Sequence, residues 1–203
     1  QRQILMLLSS AATRRSRVDA QTWKEQGLGD LQTQLLGQKL ERLGTPLTVF
    51  QAATLTAHLS VDHGEIWGKL QNKILQFMPR ATSGDILRLA YHMSVNGIEG
   101  AGTWSFLEDY IVEHVFDGLN FEDRVQVFML MVTRGNDGPV RGNLEKVIRS
   151  LEMSRSYIDT LTNNSLIGLC YAILCDLRYA PYNFSLFLRK ALHQVIPCLT
   201  LSQ

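Results

Sequence analysis

Apolar residues recur along most of the chain at the three- and four-residue spacing of an amphipathic helix. Within 45–61 they can share one broad face, and Thr45 is a predicted N-cap followed by Pro46 at the first helical position. Within 63–79 the spacing continues until Pro79. Sustained alternation of apolar and polar residues, which is typical of a strand, is nearly absent. The pattern therefore predicts an all-α protein.

The same spacing predicts further helices, which pair in chain order into helix hairpins. Ser83 is predicted to cap the first of these helices, and Gly135 to end the third. The predicted architecture is an α-solenoid of about four helix-hairpin repeats. The further helices are expected at 83–95, 102–116, 120–135, 142–154, 163–177 and 183–196.

An internal repeat is visible in the second helices of these pairs. The text "LQNKI" returns as "LEDYI" and then as "LEKVI", each time 37 residues on. The first helices follow another spacing, because "HLSV" at 58–61 returns as "HMSV" at 92–95, 34 residues on. We interpret the difference as a connecting turn that has gained three residues. The matched positions are Trp67, Leu70 and Ile74, then Trp104, Leu107 and Ile111, then Arg141, Leu144 and Ile148.

The chain divides on this pattern into a basic N-terminal helical segment, residues 1–44, and a helical-hairpin repeat array, residues 45–203. Leu36 and Leu40 lie 34 residues before the first matched Leu and Ile of the second helices. Residues 18–44 are therefore expected to hold the second helix of an earlier, partly degenerate repeat.

The histidines do not form a predicted metal site. His58 and His92 occupy equivalent places in the aligned first helices, and we expect them to pack there or to cap the last turn. A zinc site would need further ligands at chelating spacing. Cys170 and Cys175 are five residues apart, which turns them about 140° from each other on a helix. Neither a metal nor a cofactor is predicted.

Catalytic motifs are absent from the sequence. Glu108 next to Asp109, and Glu113 next to His114, cannot face each other on a helix, so we interpret them as a solvated acidic face. The glycines of "NGIEGAGTW" lack the preceding strand and the Lys of a phosphate-binding loop. The sequence therefore predicts a protein that is not an enzyme and has no small-molecule substrate.

The cysteines lie late in the chain within apolar text. Cys170, Cys175 and Cys198 are expected to be buried and reduced, which fits a reducing compartment. The longest uncharged apolar stretch near the start, 4–12, is well short of the roughly 20 residues that cross a bilayer. No membrane span is predicted.

The formal net charge of +1 is unevenly distributed. Residues 1–44 carry +3, residues 45–123 carry −6 and residues 124–203 carry +4. We predict RNA contacts at the basic ends and protein contacts in the acidic middle. The open alternatives are a flexible N-terminal tail and a solvated face on the helix at 142–154. The candidate RNA-binding residues are Arg14, Arg15, Arg17, Arg141, Lys146, Arg149 and Arg155, and the candidate protein-binding residues are Glu108, Asp109, Glu113 and Asp117.

The first residues also have a distinctive composition. Residues 1–18 contain four Arg, three Ser and no acidic residue, which is typical of an organelle-targeting presequence. An ordinary basic N-terminal helix explains the same composition equally well.

The second-helix pattern Trp-x-x-Leu-x-x-x-Ile, in "WGKLQNKI" and "WSFLEDYI", recurs at the 37-residue hairpin period without the usual tetratricopeptide small-residue pattern. In these features residues 45–196 resemble the heptatricopeptide and octotricopeptide class of organellar helical-repeat proteins. The resemblance implies a mitochondrial protein associated with RNA, in transcript maturation or as a subunit of a mitochondrial ribosome. No motif of the class assigns RNA-binding residues here, and its frequently attached C-terminal nuclease-like domain is absent from this chain.

Two functional classes follow from the sequence. The first is a subunit of a large organellar ribonucleoprotein that contacts RNA, in particular ribosomal RNA, and neighbouring proteins. The second is a purely protein-binding scaffold or accessory subunit of another assembly. A steep salt dependence of RNA affinity distinguishes the first class from the second.

Overall fold

The structure, a computed structural model, describes residues 1–134, 142–175, 189, 190 and 193, with the backbone alone at 155–157, 174 and 175. Every regular element in these ranges is a helix, and none of these residues lies in a strand. The predicted all-α class is therefore confirmed. The α-helices, in chain order, are α1 (Arg2–Arg15), α2 (Ala20–Thr22), α3 (Leu28–Leu36), α4 (Pro46–His58), α5 (Gly64–Phe77), α6 (Ser83–Val95), α7 (Thr103–Tyr110), α8 (Phe121–Thr133), α9 (Asn143–Met153) and α10 (Asn163–Cys175).

Short turns of other helix types connect several α-helices. A π-helical turn follows α2 and another follows α7, and 3-10 turns precede α4, α6, α8 and α10. The predicted helix 102–116 is therefore divided between α7 and two such turns. The π-helical turns are Trp23–Gly27 and Ile111–Val115, and the 3-10 turns are Leu40–Arg42, Met78–Arg80, Phe116–Gly118 and Arg155–Thr160.

The chain forms two compact units, Gln1–Glu108 and Asp109–Gln203. In the first unit, α4 packs against α1, α5 and α6, and α3 packs against α5. In the second unit, α8 packs against α9 and α10. The N-terminal helix α1 thus belongs to the same unit as the helices that follow it.

A threonine or asparagine begins the first helix of successive hairpins. Its side-chain oxygen accepts a hydrogen bond from the backbone N–H three residues on, which satisfies a donor that the first helical turn leaves unpaired. Thr45 is confirmed as the N-cap of α4. The prediction for Ser83 is wrong, because Thr82 adopts the extended cap conformation and Ser83 is the first helical residue. The caps are Thr45, Thr82, Asn120 and Thr162, and their donors are the N–H groups of Thr48, Asp85, Asp123 and Ser165.

The helices α4 and α6 repeat with the same period as the second helices. The bounds of α4, Pro46–His58, and of α6, Ser83–Val95, are 37 residues apart at both ends. Each helix is followed, two residues on, by a residue with positive φ. The predicted spacing of 34 residues is therefore wrong, because the caps and turns fix the register and the likeness of "HLSV" to "HMSV" does not. His58 ends α4, whereas His92 lies three residues before the end of α6.

The second helices bury the positions that the repeat matches. The buried side chains at these positions are Trp67, Leu70, Ile74, Trp104, Leu107 and Ile111. In the third copy of the repeat, Ile148 is buried and Leu144 is half-buried. Arg141 lies outside the described residues. Trp67 lies against the turn before α7, where Gly100 has a φ of +56° and a Cβ would lie 2.8 Å from the indole. The turn can approach the ring this closely because residue 100 is glycine.

The register of the N-terminal segment differs from the predicted one. Its last α-helix, α3, buries Leu31 and Leu35, whereas Leu36 is half-buried. Leu40 is buried, but it lies in the 3-10 turn after α3. The π-helical turn Trp23–Gly27 rotates the side chains that follow relative to an uninterrupted α-helix, so a fixed spacing does not identify the buried face.

Two tryptophans, one in the π-helical turn Trp23–Gly27 and one in α5, donate hydrogen bonds to the turn after α4. Trp23, which the repeat comparison does not include, is buried and its Nε1 donates to the Leu59 carbonyl oxygen at 3.2 Å. Trp67 Nε1 donates to the Val61 carbonyl oxygen at 2.6 Å. Each indole therefore satisfies its polar group while its ring is buried.

Across the described part of the chain, no helix combines the length and the apolar character that a bilayer crossing requires.

Candidate functional site

Residues of α1, α4 and α6 in the N-terminal unit line a groove of about 400 Å³. The groove includes residues of α1, α4 and α6, since α4 packs against both of the other helices. Its lining combines apolar and polar side chains. The lining residues are Ser9, Leu47, Phe50, Gln51, Thr54, Leu55, His58, Asp85, Arg88 and His92.

Two imidazoles meet in this groove. The ring centroids of His58 and His92 are 5.0 Å apart, and the rings are nearly perpendicular. Tyr91 lies edge-on to His92 at 5.3 Å and is 50% exposed. Both histidines are half-buried. The sequence predicts packing for these histidines, and the structure adds that they pack on each other although their helical positions are not equivalent.

A third basic group, Arg15, lies beside this pair. Arg15 is the last residue of α1 and is half-buried, and its Nη1 is buried without a hydrogen-bond partner. Burial lowers the pKa of Arg15. Arg15 is a basic side chain in a place where its charge is poorly solvated.

The surroundings keep both histidines uncharged at neutral pH. Burial lowers the pKa of His58, and the positive charge of Arg15 lowers it further. Burial also lowers the pKa of His92, followed by the effects of His58, Arg88 and Arg15. A pKa below the ordinary value of a histidine leaves the imidazole neutral at pH 7.

Negative charge in the groove lining is limited to Asp85 among the described residues. Asp85 Oδ2 accepts a hydrogen bond from Thr82 Oγ1 at 2.7 Å, and its backbone N–H donates to the same hydroxyl. The carboxylate therefore belongs to the capped first turn of α6. Basic side chains outnumber acidic ones around the groove.

The N-terminal candidates for RNA binding differ in their exposure to solvent. Arg14 and Arg17 are exposed, whereas Arg15 is half-buried and its charge acts on the histidines. Arg14 belongs to the last turn of α1, so this part of the N-terminus is helical.

The C-terminal candidates are only partly described. Lys146 and Arg149 are exposed on α9, and Arg149 Nη2 pairs with Glu145 Oε1 at 2.6 Å. Arg141 and the side chain of Arg155 lie outside the described residues. Because Glu145 offsets the charge of Arg149, this helix presents less unbalanced positive charge than α1.

Two of the acidic candidates accept hydrogen bonds from other side chains of the protein. Glu108 accepts a hydrogen bond from Trp104 Nε1 at 3.1 Å, and Asp109 accepts one from Asn143 Nδ2 at 2.6 Å. Asp117 is exposed, and its backbone carbonyl accepts a hydrogen bond from Arg124 Nη2 at 2.8 Å.

One expectation about these acids is wrong. Glu113 Oε2 lies 4.0 Å from His114 Nε2, although adjacent residues of an α-helix do not face each other. Both residues belong to the π-helical turn Ile111–Val115, whose wider turn brings successive side chains closer in direction. Each side chain is 58% exposed, so this pair contributes little to stability.

A larger pocket of about 660 Å³ lies in the second unit. Arg124 donates to the carbonyl oxygens of Leu119 and Asp117, and Glu122 accepts hydrogen bonds from the first turn of α10. Protein groups therefore already bind both charged side chains that line this pocket. The described residues also contain no group of three or more His, Cys, Asp or Glu side chains placed to hold a metal ion.

Cys170 is a buried, reduced thiol, as the sequence predicts for it. Burial raises the pKa of Cys170 to about 11. The thiolate is therefore scarce at neutral pH, and Cys170 is not a nucleophile. The side chain of Cys175 and all of Cys198 lie outside the described residues.

The groove brings together residues that the sequence comparison did not connect. Arg15 was a separate RNA-binding candidate, the two histidines were packing residues, and Arg88 had no predicted role. No spacing signal links them, because they come from three helices.

No family model matches the chain, and neither a curated protein nor a solved structure shows significant similarity to it.

Proposed function

We propose that this protein is a non-catalytic α-solenoid subunit of an organellar ribonucleoprotein, a mitochondrial ribosome or an RNA-processing assembly, and that it binds RNA through its basic N-terminal end. The carrying observation is the unbalanced positive charge at the end of α1. The resemblance to organellar helical-repeat proteins supports the mitochondrial assignment.

The basic residues of α1 have no acidic neighbour on their own helix. No Asp or Glu occurs before Asp19, and α1 ends in Arg14 and Arg15, with Arg17 two residues beyond it. Arg14 and Arg17 are exposed and make no ion pair with the described residues. Such side chains bind RNA phosphates by releasing condensed counterions, which makes the affinity salt-dependent.

The solenoid arrangement is supported by contacts that span about one repeat. Ser60 Oγ donates to Asn96 Oδ1 across 36 residues, and the Gly100 N–H donates to Asp62 Oδ1 across 38. In the second unit, Glu122 accepts a hydrogen bond from the Thr162 N–H across 40 residues. Repeats in a solenoid contact their neighbours in this manner.

The proposal is tested by the salt dependence of RNA binding. We expect the variant Arg14→Glu/Arg17→Glu to bind a single-stranded RNA oligonucleotide about 10-fold more weakly than the native chain at about 0.1 M salt, with a smaller salt slope. The matched control is Lys39→Glu/Arg42→Glu. Both control residues are exposed and lie near the opposite end of α1, since Gln1 Nε2 donates to the Arg42 carbonyl oxygen.

A further variant compares how much the two basic ends contribute to RNA affinity. Lys146→Glu/Arg149→Glu should weaken RNA binding less than the α1 variant, because Glu145 already offsets Arg149. Equal losses for all three charge-reversal variants would contradict a localised RNA site, and no measurable binding by the native chain would contradict the RNA function.

The second candidate function is a protein-binding scaffold, and exposed apolar side chains favour it. Leu47 is 61% exposed on α4, and Val95 is 55% exposed on α6. Affinity purification of the tagged protein from mitochondria, with and without ribonuclease, separates the two functions. Partners that stay bound after ribonuclease treatment, without RNA in the untreated sample, would support the scaffold and contradict the ribonucleoprotein.

A further inference from the structure

We propose that Arg15, His58, Arg88 and His92 form a binding site for a backbone phosphate of RNA, and that the histidines take up protons when the phosphate binds. This inference rests on the proposed RNA-binding function and specifies the residues and the protonation that accompany it.

Helix packing brings His58, Arg88 and His92 to one groove, and Arg15 lies close enough for its charge to act on both histidines. Arg15 ends α1, and His58 ends α4. Arg88 and His92 are four residues apart on α6, so they lie on the same face of that helix. Two helices therefore supply the basic groups that line the groove, and a third helix, α1, ends in Arg15 beside them.

The basic groups of the groove are not neutralised by the protein. Arg15 Nη1 is buried without an acceptor, and Arg15 makes no ion pair with a described residue. Arg88 is exposed on the rim and likewise makes no ion pair in the described ranges. A buried donor without an acceptor is destabilising, so an anion that reaches it gains a strong hydrogen bond.

A phosphate suits this arrangement better than a carboxylate. The donors approach from three helices, and a phosphate has enough oxygen atoms to accept from several directions. Guanidinium groups bind phosphate oxygens in pairs, with a planar fork of donors. A groove of about 400 Å³ has room for a nucleotide unit.

Tyr91 favours RNA as the source of the phosphate. It is 50% exposed and lies 5.3 Å from the ring of His92. An exposed aromatic face beside a phosphate site lets an unpaired base stack on it, as in many single-stranded RNA complexes. The exposed Arg14 and Arg17 extend the positive charge along the same end of α1.

Protonation of the histidines is linked to phosphate binding. In the free protein, burial and the neighbouring Arg15 and Arg88 lower the pKa of His92, and burial and Arg15 lower that of His58. A bound phosphate adds negative charge and raises both pKa values, so binding takes up protons. The charged and titratable groups that face this cluster are Arg15 from α1, His58 from α4, and Asp85, Arg88, Tyr91 and His92 from α6.

The test uses the full chain and a labelled single-stranded oligouridylate. We expect its affinity to rise by about 10-fold as the pH falls from about 7.5 to about 5.5. The variants His58→Gln and His92→Gln should each remove much of this pH dependence. Arg88→Gln should weaken binding by roughly 3- to 10-fold and lower the salt slope by about 0.7.

The matched control is His114→Gln. His114 is 58% exposed and belongs to the second unit, so its substitution should leave both the affinity and the pH dependence unchanged. Circular dichroism shows whether each variant is folded. Histidine proton resonances, followed in parallel, should show the pKa values of His58 and His92 rising when the oligouridylate binds.

Three outcomes separate the inference from the function on which it rests. Binding that weakens in Arg14→Glu/Arg17→Glu but does not change in the groove variants overturns the phosphate site and retains RNA binding. No binding of oligouridylate by the native chain overturns both proposals. A response of the histidine resonances to a phosphoserine peptide, but not to oligouridylate, overturns the assignment to RNA.

Discussion

The surroundings of a charged side chain decide its role in this protein more than its neighbours in sequence do. Arg14 and Arg15 are adjacent, yet Arg14 is exposed and Arg15 is half-buried beside two imidazoles. Glu122 likewise differs from the exposed acids near it, because it accepts hydrogen bonds from the first turn of α10.

Glu122 links α8 to the start of α10 in the second unit. It accepts hydrogen bonds from the Thr162 N–H at 3.0 Å, from the Thr162 hydroxyl at 2.8 Å and from the Ser165 hydroxyl. Burial alone would raise the pKa of Glu122, but these hydrogen bonds outweigh it and the pKa is lowered. The carboxylate form therefore stabilises the folded state.

We predict that Glu122→Gln lowers the free energy of unfolding by about 1 kcal/mol at neutral pH. A lowered folded-state pKa means that this stability is present above the unfolded-state pKa and is lost as the pH falls through the folded-state pKa. Urea unfolding at about pH 7 and about pH 3 should show the native chain and the variant converging at the lower pH.

The control for this prediction is Glu113→Gln, which alters an exposed acid of the same unit. It should leave the stability nearly unchanged at both pH values. A constant difference between Glu122→Gln and the native chain at all pH values would mean that the charge of Glu122 plays no part.

At the scale of the elements, caps and turns set the helix bounds. The N-caps of α4 and α6 are both threonines, and the helices that they begin have the same length. The π-helical turns disturb the regular spacing of apolar residues, because each one rotates the apolar face within a helical stretch.

We predict that Thr82→Ala destabilises the N-terminal unit by about 1 kcal/mol, because the Asp85 N–H loses its acceptor in the first turn of α6. Ser83→Ala is the matched control, since Ser83 is the first helical residue and does not cap α6. Thermal unfolding should show a lower midpoint for Thr82→Ala alone. The same loss in both variants would contradict the assigned cap.

At the scale of the whole molecule, stability depends on apolar side chains that folding buries. Leu107 is one of the matched second-helix positions and has no exposed surface. A side chain of this kind leaves a cavity when it is shortened, because the surrounding helices close around it only in part.

We predict that Leu107→Ala lowers the free energy of unfolding by about 2–5 kcal/mol. Phe106→Ala is a suitable control, because Phe106 is the neighbouring residue of α7 and is 48% exposed. Chemical unfolding followed by circular dichroism measures both. An unchanged midpoint for Leu107→Ala would contradict its burial, and an equal loss for Phe106→Ala would remove the distinction between the two faces of α7.

The sequence by itself determined the helical class, the cap at Thr45 and the 37-residue repeat of the second helices. These features depend on residues that are close in the chain, or on one apolar face whose spacing the α-helix fixes. The same local signals failed where the helix type changes, at Trp23–Gly27 and Ile111–Val115, because a π-helical turn alters the angle between successive side chains.

The structure corrected the register of the first helices, and only the tertiary packing decided the composition of the groove. The spacing of "HLSV" and "HMSV" gave His58 and His92 equivalent helical places, whereas caps and turns give α4 and α6 another register. Arg15 and Arg88 join these histidines through the packing of α1, α4 and α6. Side chains so distant in sequence meet because helices pack side by side, and no periodicity along one chain records which of them will face each other.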